Sequence, residues 1–84
     1  MKVLIEITPE RYELFLAECD ITSREYTILK NGVISRDQSD GRDRRVIEIL
    51  CDEDEATQLL DAAARLYPDA APAIAKGLDV AREL

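Results

Sequence analysis

The stretch YTILKNGVISR (Tyr26–Arg36) decides which fold class the sequence predicts. Two runs of residues that favour β structure flank Asn31-Gly32, a pair that accepts the positive φ angles of a two-residue hairpin turn. We therefore predict a hairpin, with one strand over Arg24–Lys30 and the other over Val33–Arg36.

Two further strands are predicted on either side of this hairpin. In Lys2–Ile7 every second residue is a valine or an isoleucine, and in Arg44–Cys51 the apolar face carries Ile47, Ile49 and Cys51. This period of two is typical of strands that pack one face against a core. The four strands together predict a mostly antiparallel four-stranded sheet.

Capping residues and apolar spacing predict three helices. Thr8 precedes a proline and a glutamate, which is a standard helix start. Asp52 begins a second helix with an acidic capping box, and Pro68 ends that helix. A third helix begins at Asp69 or Ala71 and runs to the end of the chain.

The predicted fold class is a single α+β domain over residues 1–84. Its order is strand, helix, three strands and two helices, with both long helices on one face of the sheet. This order resembles the ferredoxin-like class in topology over roughly residues 1–67. The likeness includes no motif and therefore implies no function.

The face of the predicted sheet that points away from the helices carries too many aliphatic residues for a solvent face. Leu4, Leu29, Val46 and Leu50 fall on it. Either a second copy of the chain or the third helix covers them, so we predict an interface there and expect a homodimer. The third helix is an alternative association element, because small residues such as Gly77 permit close packing, although they also suit packing within one chain.

The charge balance restricts the class of partner. Eighteen acidic and eleven basic residues give a formal net charge of -7, which disfavours binding to nucleic acid or to an anionic membrane and is compatible with a basic protein partner. No run of residues is long enough to span a membrane, and Glu6 comes too early for a secretory signal. We therefore expect a cytoplasmic protein.

The polar segment from residue 36 to residue 45 is a candidate partner-binding loop. Arg36, Arg42, Arg44 and Arg45 present paired guanidinium donors that suit carboxylate or phosphate groups. Three aspartates are interleaved with them and can satisfy them locally. A solvated loop without a binding role therefore remains the other interpretation.

The sequence offers little to catalysis. It contains no histidine, which is the commonest general base, and its two cysteines, Cys19 and Cys51, are interpreted as packed thiols too far apart to form a disulfide. We predict no catalytic residues, no cofactor and no metal site.

Two functional hypotheses remain. The first is a small acidic protein-interaction or regulatory module without catalytic activity. The second is a small-ligand module with a pocket between sheet and helices, in which Tyr26, Arg24 and Arg45 would contact the ligand.

Overall fold

An antiparallel sheet forms the centre of the protein, in a computed structural model that describes residues 1–37 and 44–83. Within those residues the sheet has three strands, which are β1 (Lys2–Ile7), β2 (Val33–Asp37) and β3 (Arg44–Asp52). β3 lies in the middle and pairs antiparallel with both neighbours. β1 and β2 are therefore parallel to each other, and the chain between them has to cross the sheet.

Helices make this crossing and complete the second layer. The helices are α1 (Pro9–Glu18), α2 (Arg24–Lys30), α3 (Glu53–Leu66) and α4 (Ala71–Glu83), and a short 3-10 turn precedes α4. The first three contact the face of β3 that carries its isoleucines, here called the inner face. α4 lies along β1 and also contacts α3.

The predicted strand over Arg24–Lys30 is wrong, because these residues form α2. The side chain of Ser23 caps the helix by accepting a hydrogen bond from the N–H of Tyr26 at 3.2 Å. Asn31 has φ -81° and ψ -3°, and the N–H groups of Asn31 and Gly32 donate to carbonyls of the last helical turn. Asn31-Gly32 therefore ends a helix and does not turn a hairpin, so the four-stranded sheet and its ferredoxin-like order are also wrong.

Tertiary packing explains why helix is preferred over strand here. Ile28 and Leu29 are both buried, and consecutive side chains can share the core-facing side of a helix but not one face of a strand. The hydroxyl of Tyr12 donates to the Leu29 carbonyl at 2.6 Å, which holds α2 against α1. The residue after Asn31 is a glycine because a Cβ at position 32 would lie 2.7 Å from Cγ2 of Ile47.

The remaining helix signals are confirmed. Thr8 caps α1 by accepting the N–H of Arg11 at 3.3 Å. Asp52 and Glu55 form the predicted capping box, with hydrogen bonds of 2.8 and 3.1 Å in the two directions. α3 stops just before Pro68. These signals succeed because the side chain and its backbone partner are three residues apart, so no distant contact decides the outcome.

The core lies between the inner face and the helices. Alternate residues of β1 and β3 point into it and meet the apolar stripes of the helices. Its largest fully buried side chains are Phe15, Ile5, Leu29, Ile49, Leu59, Ile74 and Val3. No buried side-chain polar atom among the described residues lacks a hydrogen-bond partner.

α4 packs against β1 through its smallest residue. A Cβ at Gly77 would lie 2.6 Å from the carbonyl oxygen of Leu4 and 3.4 Å from Cα of Ile5. Helix and strand backbones are therefore in direct contact. Of the two interpretations of the small-residue stripe, the structure supports packing within the chain.

Substitutions in and before α2 test its helical state. We expect Ser23→Ala to lower the free energy of unfolding by about 0.5–2 kcal/mol, because it removes the cap. Thr27→Ala, on the exposed side, should raise it by up to about 0.7 kcal/mol, because alanine is the better helix former. Urea unfolding measures both changes. Destabilisation by Thr27→Ala with no effect of Ser23→Ala would instead indicate a strand.

A side chain at Gly77 should force α4 away from β1. We expect Gly77→Ala to lower the free energy of unfolding by about 1–3 kcal/mol, because the neighbouring atom is backbone that cannot move aside. Helix propensity acts in the opposite direction by about 1 kcal/mol. Asp79→Ala, at an exposed position of the same helix, is the control and should change stability by less than about 0.5 kcal/mol.

Candidate functional site

The face of the sheet opposite the helices, here called the outer face, carries several exposed aliphatic side chains. Leu4 of β1 and Leu50 of β3 are directly opposite each other and are 44% and 62% exposed. Val33 of β2 is 61% exposed, and the half-buried Val46 lies further along β3. Side chains that oppose each other across antiparallel strands are about 5 Å apart, and diagonal neighbours about 7–8 Å apart. The aliphatic side chains of the outer face are therefore neighbours and form one patch.

Three of the four residues predicted for an interface share this face. Leu4, Val46 and Leu50 lie on the outer face. Leu29 instead lies on the side of α2 that faces the core and is only 1% exposed. The placement of Leu29 is wrong because it depended on the strand over 24–30. Whether the other three residues contact a partner stays a prediction.

Val33 was missed in the sequence, and its register explains why. Alternation along a short strand fixes which residues share a face but not which face meets the core. Only the pairing of Val33 with Glu48 places it on the outer face.

α4 flanks the outer face and leaves a groove beside it. The groove has a volume of about 290 Å³, and its walls include Leu4 and Val46 from the sheet and Lys76 and Val80 from α4. Val80 is 50% exposed. The alternative in which α4 covers the outer aliphatics is therefore realised only at the β1 edge, and Leu50 remains uncovered.

Charged side chains bracket the two opposed leucines. Lys2 lies opposite Asp52 at one end, and Glu6 lies opposite Glu48 at the other. The pKa of the Asp52 carboxyl is held below its usual range, first by the hydrogen bond from the N–H of Glu55 and also by the positive charge of Lys2. The outer face is therefore near neutral at one end and doubly negative at the other.

The arginines of the candidate loop are only partly placed. Arg36 and Arg45 are directly opposite each other on β2 and β3, and both are exposed. Arg42 lies outside the described residues, and only the backbone of Arg44 is described. A partner-binding role for these residues stays a prediction.

The three residues named for a ligand pocket do not converge. Arg24 is close enough to Asp52 to contribute to its lowered pKa. Arg45 lies seven residues before Asp52 on β3, which corresponds to about 23 Å of extended strand. Tyr26 is half-buried on α2, against the core. A second, more polar cavity of about 350 Å³ is lined by none of the three and lies beside Thr8, Arg11 and Tyr67.

The two cysteines pack as small apolar side chains, as predicted. Both are buried and free. Burial, and then the negative charges of Glu55 and Asp52, raise the pKa of the Cys51 thiol to about 11. Burial also raises the pKa of the Cys19 thiol. Neither thiol is activated as a nucleophile, because the thiolate is the reactive form.

Among residues 1–37 and 44–83, no group of three histidine, cysteine, aspartate or glutamate side chains is arranged to hold a metal ion. Over the same residues, no helix has both the length and the apolar character needed to cross a bilayer.

The comparisons with known proteins add no relative. No family model, curated protein or solved structure matches the chain.

The burial of the thiols predicts how they react with a disulfide reagent. At pH 8 we expect only about one Cys51 in a thousand to be thiolate in the folded protein, so both cysteines should react slowly. The reaction rate of Cys51 should keep rising as the pH approaches 11, and denaturant should make both thiols reactive at once. Fast reaction of one thiol in the native protein at neutral pH would contradict this, and Cys19→Ala and Cys51→Ala would identify which one.

Proposed function

We propose that this chain is a protein-interaction module without catalytic chemistry of its own, and that it binds its partner through the outer face. The observation that carries the proposal is the exposure of Leu4, Leu50, Val33 and Val80 in one connected patch. Single exposed aliphatics are ordinary, but a connected patch on a small monomer indicates a surface that another molecule covers.

The energetics favour covering this patch. Fully burying a leucine side chain stabilises by about 1.5–3 kcal/mol relative to leaving it in water. Leu4 and Leu50 are large parts of the patch, so a partner that covers them gains most of its affinity from few residues. Such a contact would weaken little with salt, because the gain is apolar.

The net charge indicates what kind of partner suits the module, and the free thiols indicate which compartment suits it. If the partner is a different protein, a net charge of -7 favours one with a basic surface, and the module would regulate that protein by contact alone. Free buried cysteines suit a reducing compartment, and we place the protein in the cytoplasm on that ground.

One observation favours a second candidate function. The groove of about 290 Å³ between α4 and the outer face is near the lower end of the volumes that small ligands occupy. A small apolar molecule with one polar group would fit between Leu4, Val46 and Val80. This site differs from the predicted pocket between sheet and helices, where the core side chains fill the space.

Photo-crosslinking tests the interaction function directly. A photoreactive phenylalanine analogue at position 50 should give covalent protein adducts in cells of the source organism. The same analogue at position 21 should give none, because Ile21 is 74% exposed but lies in the connection between α1 and α2, away from the outer face. Adducts confined to position 50 support the proposal. No protein adduct at position 50, with the folded protein retaining a small molecule in native mass spectrometry, would favour the ligand function instead.

A further inference from the structure

We propose that the partner on the outer face is a second copy of this chain, packed face to face so that Leu4 and Leu50 stack on the same residues of the other copy while Lys2 lies against the other copy's Glu6. This proposal rests on the proposed function of the outer face and specifies the partner. It is carried by the order of charges along β1 and by the pairing of Leu4 with Leu50 across the sheet.

Symmetry limits how two outer faces can meet. A dimer of identical faces has a two-fold axis, and for stacked sheets this axis lies in the plane between them. If the axis runs along the strands, each end of the outer face in one copy lies over the same end in the other copy. This arrangement sets Lys2 against Asp52 of the other copy at the near-neutral end, but it brings Glu6 and Glu48 of one copy to the same two carboxylates of the other, which places four negative charges together.

An axis across the strands reverses the ends and is the arrangement that the charges favour. Lys2 and Glu6 lie two residues before and after Leu4 on the same strand face. Rotation about the line through Leu4 and Leu50 therefore places each Lys2 over the Glu6 of the other copy. On β3 the same rotation brings Glu48 near Asp52, so one unfavourable contact remains on each side of the axis.

The apolar side chains lie on this axis. Leu4 and Leu50 are directly opposite each other, so the line between them crosses the sheet. Val80 of α4 borders the same groove as Leu4. The two leucines would stack on their own copies and be removed from water together, whereas the charged residues stay at the rim.

The size of the face predicts a weak dimer. A standard interface buries about 800 Å² on each partner, which would be about a seventh of the 5536 Å² accessible surface of the chain. A three-stranded face with one flanking helix is at the lower end of that size, and the Glu48–Asp52 contact opposes association. We therefore expect dissociation in the micromolar range.

Charge reversal with recombination is the decisive experiment. Sedimentation equilibrium of Lys2→Glu alone and of Glu6→Lys alone should each show a dimer at least about tenfold weaker than that of the wild type, since each variant places like charges across the axis. An equimolar mixture should form a heterodimer, because one copy is then negative and the other positive at both positions. Native mass spectrometry distinguishes the heterodimer by mass.

Matched variants control for net charge and for folding. Glu13→Lys and Lys30→Glu make the same changes at exposed positions on α1 and α2 and should leave the dimer unchanged. Asp52→Asn keeps a helix-capping side chain and removes one carboxylate from the Glu48 contact. It should strengthen the dimer severalfold. Thermal unfolding of each variant verifies that it is folded.

Three results would overturn the proposal. They are a wild-type chain that stays monomeric up to millimolar concentration, single reversals that leave the dimer unchanged, and a mixture that forms no heterodimer. A monomeric chain that still gives adducts with a different protein at position 50 would overturn pairing with a second copy and leave the proposed function standing. Absence of any adduct at that position would contradict both.

Discussion

The pairing of β1 with β3 is the interaction on which both the core and the outer face depend. β3 is the central strand, and its register with β1 sets Ile5 against Ile49 on the inner face and Leu4 against Leu50 on the outer face. Because side chains alternate strictly along a strand, a shift of one residue would exchange the two faces. The same hydrogen-bonded ladder therefore buries the isoleucines and exposes the leucines.

Local signals in the sequence were sufficient for the parts of the fold that short-range bonds decide. The cap at Thr8, the capping box at Asp52 and the stop before Pro68 all involve groups within a few residues of each other. β1 and β3 were also predictable, because apolar residues recur at a period of two on their inner faces. These residues are Val3, Ile5 and Ile7 on β1 and the isoleucines on β3. These elements needed no knowledge of what packs against them.

The region from residue 24 to residue 30 could not be assigned from local preference alone. Its β-favouring composition and the following Asn31-Gly32 agree with a hairpin, and β propensity is mainly a statement about packing context. The outcome was decided by contacts distant in sequence, namely the hydroxyl of Tyr12 on the Leu29 carbonyl and the close approach of Ile47 to Gly32. The misassignment moved Leu29 onto the wrong surface and hid Val33, whose face depends on its register with β3.

The uncovered outer face is a consequence of how tightly α4 is held. The only part of the chain predicted to cover the leucines was the third helix, and its small residue at 77 lets it sit directly against the backbone of β1. That contact buries Ile74 and Leu78 against the rest of the core. Moving α4 over Leu50 would break it and return those two side chains to water, at a cost of about 1.5–3 kcal/mol for each. Covering Leu4 and Leu50 would remove from water only their exposed parts, 44% and 62% of each residue, so the chain gains more by keeping α4 at the sheet edge than by covering its own leucines.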